Sequence, residues 1–146
     1  MKVLFICTGN TCRSPMAEGL LKKAHPKTEV FSRALAYHAD QVSPNAVKAM
    51  EELGVDITQH QPAPLRHEDL EKADLVLTMT KSQRDLLRGV VDSDKIYGFG
   101  EFLGRSEDVV DPYGMGTMEY RKAAAQLADW TQQLAVLIEE GAWEEK

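Results

Sequence analysis

The segment from Val3 to Pro15 constrains the fold of this chain more strongly than any other stretch. It begins with four consecutive apolar residues, Val3–Ile6, which are typical of a parallel strand covered on both faces. The dipeptide Gly9-Asn10 supplies two residue types that readily take left-handed backbone angles. Ser14 is a good N-cap residue, and Pro15 suits the first helical position because its missing N–H needs no partner there. The segment therefore predicts a strand, a tight loop and a helix, whose free N–H groups converge on an anion.

The same loop carries a candidate nucleophile and a candidate anion-binding side chain. Cys7 comes where the strand ends, so we expect its sulfur to project into the loop, where N–H groups and a guanidinium stabilise a thiolate. Arg13 offers a planar fork that can hold two phosphoryl oxygens at once. The spacing alone is a weak signal, because a cysteine at a strand end is usually a core residue. Together with the strand before it and the helix after it, the pair predicts nucleophilic attack on phosphorus.

Length, charge and hydropathy exclude several classes of protein. The chain of 146 residues has the length of one domain, which we expect to span residues 1–146. A net charge of −6 argues against a nucleic-acid partner, which would require a basic face. No apolar run approaches the about 20 residues of a membrane span, and the N-terminus has no signal-peptide pattern. We therefore expect a cytoplasmic protein that does not bind membranes.

The cysteines and histidines do not form a metal-binding pattern. Two cysteines cannot supply four ligands, and a core of this size needs no disulfide. We expect the four histidines (His25, His38, His60 and His67) to be surface or loop residues, and the protein to use no metal or other cofactor. Cys12 is either a reversible disulfide partner of Cys7 under oxidation or a small packing residue.

The pattern of apolar residues alternates between strands and helices. This alternation predicts an α/β fold: a small, doubly wound, mostly parallel sheet of about four strands with helices on both faces. Ligands of such sheets bind beyond the carboxyl ends of the strands, so Cys7 and the loop after the last strand should meet at one edge. The predicted strands are 3–6, 29–32, 75–77 and 95–97. The predicted helices run from 14 to about 25, 43–54, 69–72, 82–88 and from about 120 to 138, and the longest loops are 33–42 and 98–116.

Asp111 is the candidate proton donor for the leaving group. It lies in the long loop after the last predicted strand, and Pro112 restricts its backbone to an extended shape. A cysteine phosphatase needs such an acid and afterwards a base for water. An Asp-Pro pair is also a common way to open a turn, so the residues alone leave both interpretations open.

The sequence Cys7-Thr8-Gly9-Asn10-Thr11-Cys12-Arg13-Ser14-Pro15-Met16-Ala17-Glu18 resembles the signature of the low-molecular-weight protein tyrosine phosphatase family. Within the family, the chain most resembles the bacterial protein arginine phosphatases. The similarity extends through Ser43-Pro44, the segment 73–77 and Asp111-Pro112-Tyr113, and so covers nearly the whole chain.

The resemblance implies roles for individual residues. Cys7 would be the nucleophile, and Asp111 the general acid, because the family carries its acid in an Asp-Pro-Tyr segment. Tyr113 and Tyr37 would form aromatic walls of the substrate cleft. The loop residues would bind the phosphoryl group or support the loop: Thr8, Gly9, Asn10, Thr11, Cys12, Arg13 and Ser14.

Thr11 bears on the choice of substrate. Tyrosine phosphatases of the family resemble one another in having a bulky aliphatic residue here, whereas the arginine phosphatases resemble this chain in having threonine. A smaller residue with a hydroxyl leaves room for a planar guanidinium, for which Asp111 is a suitable carboxylate partner. We therefore expect a phosphatase that hydrolyses phosphoarginine in proteins through a phosphocysteine intermediate, as a monomer. The alternative is a tyrosine phosphatase.

Three other functions are less compatible with the residues. Arsenate reductases share the loop but use a further cysteine pair, and this chain has only Cys7 and Cys12. Phosphoryl-carrier domains lack the loop arginine and need no general acid. A module that only binds phosphate would not need Cys7.

Overall fold

A computed structural model of the protein describes residues 1–141. Its sheet has four parallel strands in the order β2-β1-β3-β4, which confirms the predicted fold class. The strands are β1 (Lys2–Cys7), β2 (Glu29–Ala34), β3 (Leu75–Thr78) and β4 (Ile96–Gly98). The helices are α1 (Arg13–Ala24), α2 (Pro44–Glu52), α3 (His67–Lys72), α4 (Lys81–Arg88), α5 (Phe99–Phe102) and α6 (Thr117–Glu140). None of these helices is both long and apolar enough to cross a membrane within the described residues.

The unbroken apolar run of β1 is explained by burial on both sides of the sheet. Val3, Phe5 and Cys7 point to one face, where α1, α2 and α6 pack, while Leu4 and Ile6 point to the other, covered by α3 and α4. Every residue from Val3 to Ile6 is fully buried. A strand covered on both faces has no polar alternation, so the sequence pattern and the structure agree.

The chain after β4 lies close to the core, and two parts of its backbone, at Gly100 and Glu107, lie against each other. Phe99 packs between Phe5 and Trp130, with ring centroids 5.3 and 5.5 Å apart. A methyl group added at the next residue, Gly100, would collide with the carbonyl oxygen of Glu107. Glycine therefore allows the segment that leads to Asp111 to lie directly against α5.

Three local predictions were wrong. Strand β2 continues through Arg33 and Ala34, which pair with Ile6 and Cys7, so the predicted loop begins later. The predicted loop 98–116 contains the short helix α5. Helix α1 begins at Arg13, with Cys12 at the N-cap position, because the hydroxyl of Ser14 bonds the sulfur of Cys7 and caps no backbone N–H. In each case contacts with distant or neighbouring elements overrode a local preference.

The strand order places the site. The chain moves from β1 to β2 on one side and later adds β3 on the other side of β1, so the crossovers diverge between β1 and β3. Loops that leave the carboxyl ends of such strands border a crevice. Here the side chain of Gln83, at the start of α4, donates to the hydroxyl of Thr8, 3.0 Å away, and joins the two loops.

Candidate active site

Asn10 holds the loop between β1 and α1 in its shape. Its φ of 57° is the only positive value of a non-glycine residue within residues 1–141. Its side-chain Nδ2 donates to the hydroxyls of Ser14 and Ser32 at 2.8 and 2.9 Å, and its side-chain Oδ1 accepts from Ala63 N–H at 3.1 Å. Asparagine tolerates the left-handed conformation, and its three hydrogen bonds fix it there.

The sulfur of Cys7 lies at the centre of the loop and accepts two hydrogen bonds. The backbone N–H of Asn10 is 3.2 Å from Sγ, and the hydroxyl oxygen of Ser14 is 2.9 Å away. A thiolate can only accept, so to that form of Cys7 the Ser14 hydroxyl, whose oxygen accepts from the side-chain amide of Asn10, donates its own hydrogen. The thiolate is the nucleophilic form of cysteine, and these two groups are placed to bond it.

A second layer of polar groups supports Asn10 from behind. Ser32 donates to a carboxylate oxygen of Glu18 at 2.7 Å, and His60 Nε2 lies 3.2 Å from the backbone carbonyl oxygen of Asn10. A carbonyl only accepts, so Nε2 of His60 carries a proton, and burial lowers the pKa of this imidazole despite the nearby Glu18 carboxylate. His60 does lie in a loop, but its side chain is only 10 % exposed and supports the site.

Arg13 brings its guanidinium to the mouth of the loop. The residue is 4 % exposed, with Nη1 donating to the carbonyl oxygen of Val109 at 3.4 Å and Nη2 3.6 Å from a carboxylate oxygen of Asp111. Its Nε is buried and has no acceptor among the described residues. A buried donor without a partner is costly, and an oxyanion in the loop would satisfy it.

Backbone donors surround the same point. Within residues 1–141, the N–H groups of four loop residues have no hydrogen-bond acceptor: Thr8, Gly9, Thr11 and Cys12. Four free N–H groups beside a helix N-terminus and the Nε of Arg13 make a donor set for a tetrahedral oxyanion.

A cavity of about 130 Å³ opens above the loop. This volume is far below the several hundred Å³ of sites for drug-sized ligands and suits a phosphoryl group. Nine residues line it: Cys7, Thr8, Gly9, Thr11, Cys12, Arg13, His38, Asp111 and Tyr113. The structure thus brings together most of the predicted site residues, while Asn10 and Ser14 lie behind the loop.

The aromatic part of the cavity differs from the prediction at one position. Tyr113 lines it, whereas Tyr37 is 46 % exposed and its neighbour His38 lines the cavity instead. The His38 ring packs on the loop, since a methyl group added at Gly9 would lie 2.6 Å from its Nε2. It also meets the Tyr113 ring edge-on at 5.9 Å. The sequence offered no local signal for His38.

The two cysteines of the loop have different environments. Burial, with the negative charge of Cys7 as the next cause, raises the pKa of the Cys12 thiol to about 11. Cys12 therefore stays a protonated thiol at neutral pH, while the sulfur that receives the directed donors is that of Cys7. No cluster of potential metal ligands occurs in the part of the chain that the structure describes.

Three comparisons relate the sequence and the fold of this chain to known proteins. The sequence profile of the family described as low molecular weight phosphotyrosine protein phosphatase matches residues 2–143. The chain is 35 % identical over 143 residues to a protein-arginine-phosphatase of Bacillus subtilis, covering 92 % of this chain and 95 % of the relative. It is 37 % identical over 134 residues to the low molecular weight protein-tyrosine-phosphatase PtpB of Staphylococcus haemolyticus, covering 87 % and 92 %.

A solved structure adds chemical information. The structure of a YwlE arginine phosphatase, in which serine replaces a cysteine and the active-site serine is phosphorylated, superposes with a TM-score of 0.91. Its sequence is 33 % identical, and the match covers 95 % of this chain and 96 % of that one.

Proposed function

We propose that this protein, which belongs to the low molecular weight phosphotyrosine protein phosphatase family and is a cysteine-dependent protein phosphatase, acts on phosphoarginine. The observation that carries the choice of substrate is the position of Thr11. It lines the cavity beside Cys7 and Arg13. A side chain of this size leaves room for a planar guanidinium and adds a hydroxyl that can bond it.

In the first step the Cys7 thiolate attacks phosphorus. The S–P bond forms while the P–N bond to the guanidine breaks, and Asp111 gives its proton to the leaving nitrogen. Arg13 Nε and the loop N–H groups bind the three phosphoryl oxygens and stabilise the charge of the transition state. The phosphorylated active-site serine of the YwlE variant supports a phosphoryl-enzyme at the corresponding position.

In the second step water attacks the phosphocysteine. Asp111, now a carboxylate, takes a proton from the water while the S–P bond breaks. Phosphate leaves and the Cys7 thiolate is restored. Apart from the attacking water, the groups that act in both steps belong to this chain and line one cavity, which supports a metal-independent enzyme that acts as a monomer.

The alternative substrate, phosphotyrosine, is favoured by a different feature. Tyr113 and His38 form an aromatic rim that would hold a phenyl ring as readily as a guanidinium plane. Asp111 would serve both substrates as the acid, but once it has given up its proton its carboxylate can pair with the guanidinium of the leaving arginine, whereas a phenol carries no positive charge to pair with. This difference supports phosphoarginine.

The experiment that tests the assignment replaces Thr11. Thr11→Ile fills the guanidinium space and removes the hydroxyl, yet packs well against a phenyl ring. A lost hydrogen bond costs about 1 kcal/mol and a clash about 1–3 kcal/mol, so the ratio of kcat/KM for phosphoarginine to that for phosphotyrosine should fall about tenfold or more. Steady-state kinetics on both substrates measure it.

Thr11→Val is the matched control, because it keeps the shape of the side chain and removes only the hydroxyl. It should lower the ratio by less than Thr11→Ile. Equal losses on both substrates would mean that Thr11 only shapes the loop, and the proposal of phosphoarginine would fail.

We also infer that the enzyme is sensitive to oxidation. Cys12 lines the same cavity as the Cys7 sulfur, so peroxide should form a disulfide between them that thiols reverse. Mass spectrometry that finds over-oxidised Cys7 beside a free Cys12 would refute this protective role.

A further inference from the structure

Gln126, a half-buried residue of α6, binds the backbone of the segment that carries the proposed general acid. Its Oε1 accepts a hydrogen bond from the backbone N–H of Val110 at 2.8 Å. Its Nε2 donates to the backbone carbonyl of Asp108 at 3.1 Å. One carboxamide thus forms a hydrogen bond with each of the two residues that flank Val109. These two bonds fix the conformation of the Gln126 side chain and of the backbone it contacts.

Other hydrogen bonds hold residues 108–110, but none of them holds the backbone after Val110. Val109 donates to the carbonyl of Met79 at 3.0 Å, and Asp108 accepts from the backbone N–H of Lys81 at 3.0 Å. Beyond Val110, the backbone of residues 111–115 forms hydrogen bonds only within the segment, as far as the described residues show. Gln126 is therefore the last anchor before Asp111.

We propose that Gln126 is a positioning residue that directs the carboxyl group of Asp111 toward the leaving group. The inference rests on the proposed function, in which Asp111 is the general acid. The peptide N–H that Gln126 holds belongs to the residue directly before Asp111, so its loss frees the backbone angles that aim the acid. Proton transfer depends steeply on such geometry, since an acid must come within hydrogen-bond reach of the atom it protonates.

The chemistry of a carboxamide explains why this position suits glutamine. Only a side chain with both a donor and an acceptor can serve a carbonyl and an N–H that flank one residue. Glutamate would keep the acceptor for Val110 but lose the donor for Asp108 and add charge beside it. Gln126→Glu should therefore fall between the wild type and Gln126→Ala.

The test measures kcat/KM of the full-length enzyme on phenyl phosphate and on p-nitrophenyl phosphate. Nitrophenolate leaves readily without a proton, whereas phenol needs the acid. Gln126→Ala should lower kcat/KM about tenfold on phenyl phosphate and only about twofold on p-nitrophenyl phosphate, a fraction of the full contribution of a general acid. In the double variant with Asp111→Asn, Gln126→Ala should cause almost no further loss.

Gln133→Ala is the matched control on the same helix. Its amide donates to the carboxylate of Asp129 at 3.2 Å, about two helical turns beyond Gln126, so both substrates should be hydrolysed at the wild-type rate. The thermal unfolding midpoint of each variant is recorded, and Gln126→Glu replaces Gln126→Ala if the latter does not fold.

The outcomes separate the two proposals. Equal loss of kcat/KM on both substrates, or an additive loss in the double variant, would overturn the role of Gln126 while leaving Asp111 as the acid. If Asp111→Asn itself shows no dependence on the leaving group, the proposed acid is wrong and the role of Gln126 falls with it.

Discussion

The two segments that meet at the cavity are built in opposite ways. The phosphate loop, residues 7–13, is buried except at Thr8, and the side chain of Asn10 uses all its hydrogen-bonding groups within the protein. The acid segment, residues 106–116, is largely exposed, with the side chain of Asp111 57 % accessible and Tyr113 63 % accessible. Its backbone is anchored through Val110 and then follows its own local turns.

This difference follows from what each segment has to do. The thiolate and the oxyanion donors stabilise charge only if they are already oriented before the reaction, so their loop is fixed by the core. In the proposed mechanism Asp111 must reach a leaving group that belongs to a protein substrate and later a water molecule, so it needs an accessible position. The phosphate loop, where charge develops, is therefore held firmly by the core, and the acid segment, which meets different substrates, is exposed.

The largest expected effect concerns the buried segment. Cys7→Ser should abolish turnover, by about 10⁴-fold or more, because the hydroxyl is not ionised at neutral pH. Binding of inorganic phosphate, measured by calorimetry, should persist because the donors of the loop remain. A Cys7→Ser protein that keeps a substantial part of its activity would disprove the covalent mechanism.

The exposed segment should show a loss that depends on the substrate. Asp111→Asn should lower kcat/KM by about 10²–10⁴-fold for a poor leaving group and much less for a good one. Kinetics on a series of aryl phosphates measure the slope of rate against leaving-group basicity. An unchanged slope in the variant would exclude Asp111 as the acid.

The support of the loop can be separated into its backbone and side-chain parts. Asn10→Ala should destabilise the protein by about 2–4 kcal/mol, because two hydroxyls and one N–H lose a partner and alanine is strained at this φ. Asn10→Gly loses the same hydrogen bonds but is not strained at this φ, so it should be about 1 kcal/mol more stable than Asn10→Ala. Urea unfolding gives both values, and equal stabilities of the two variants would show that the left-handed backbone costs nothing here.

The smallest expected effect is a pH dependence of stability. Burial lowers the pKa of His60 in the folded state, so the unfolded chain, with an imidazole pKa of about 6.5, binds more protons as the solution becomes acidic. His60 therefore lowers the free energy of unfolding as pH falls below about 6.5, and has no such effect above it.

His60→Gln should reduce that loss, while His67→Gln, at an exposed histidine, should not. Urea unfolding of the three proteins at pH 7.5 and pH 5.5 compares them. Identical pH dependence in all three would show that burial of His60 carries no electrostatic penalty.

The sequence was informative wherever a short stretch of chain decides the structure. The strand before Cys7, the Ser43-Pro44 start of α2 and the α4 helix ending at Gly89 were all predictable from local patterns. Asp111 needed the family resemblance as well, because Asp-Pro alone also opens turns.

What the sequence could not provide were contacts between distant residues. His60 lies fifty positions from Asn10, and Gln126 sixteen from Val110, and neither stands in a pattern that distinguishes it from a surface residue. Ser14 shows the opposite limitation. Its type predicts an N-cap, but a sulfur and an amide placed beside it by the fold give its hydroxyl other partners.

The unpaired Nε of Arg13 has a consequence for the end of the catalytic cycle. The donors that hold the three oxygens of the substrate also fit the three oxygens of free phosphate, which differs from the phosphoryl group chiefly in lacking the leaving group. Departure of phosphate leaves this buried donor without a partner again, so release is opposed by the same atoms that promote attack. We therefore expect the enzyme to be inhibited by its own product, and other tetrahedral oxyanions to compete with the substrate for the same place.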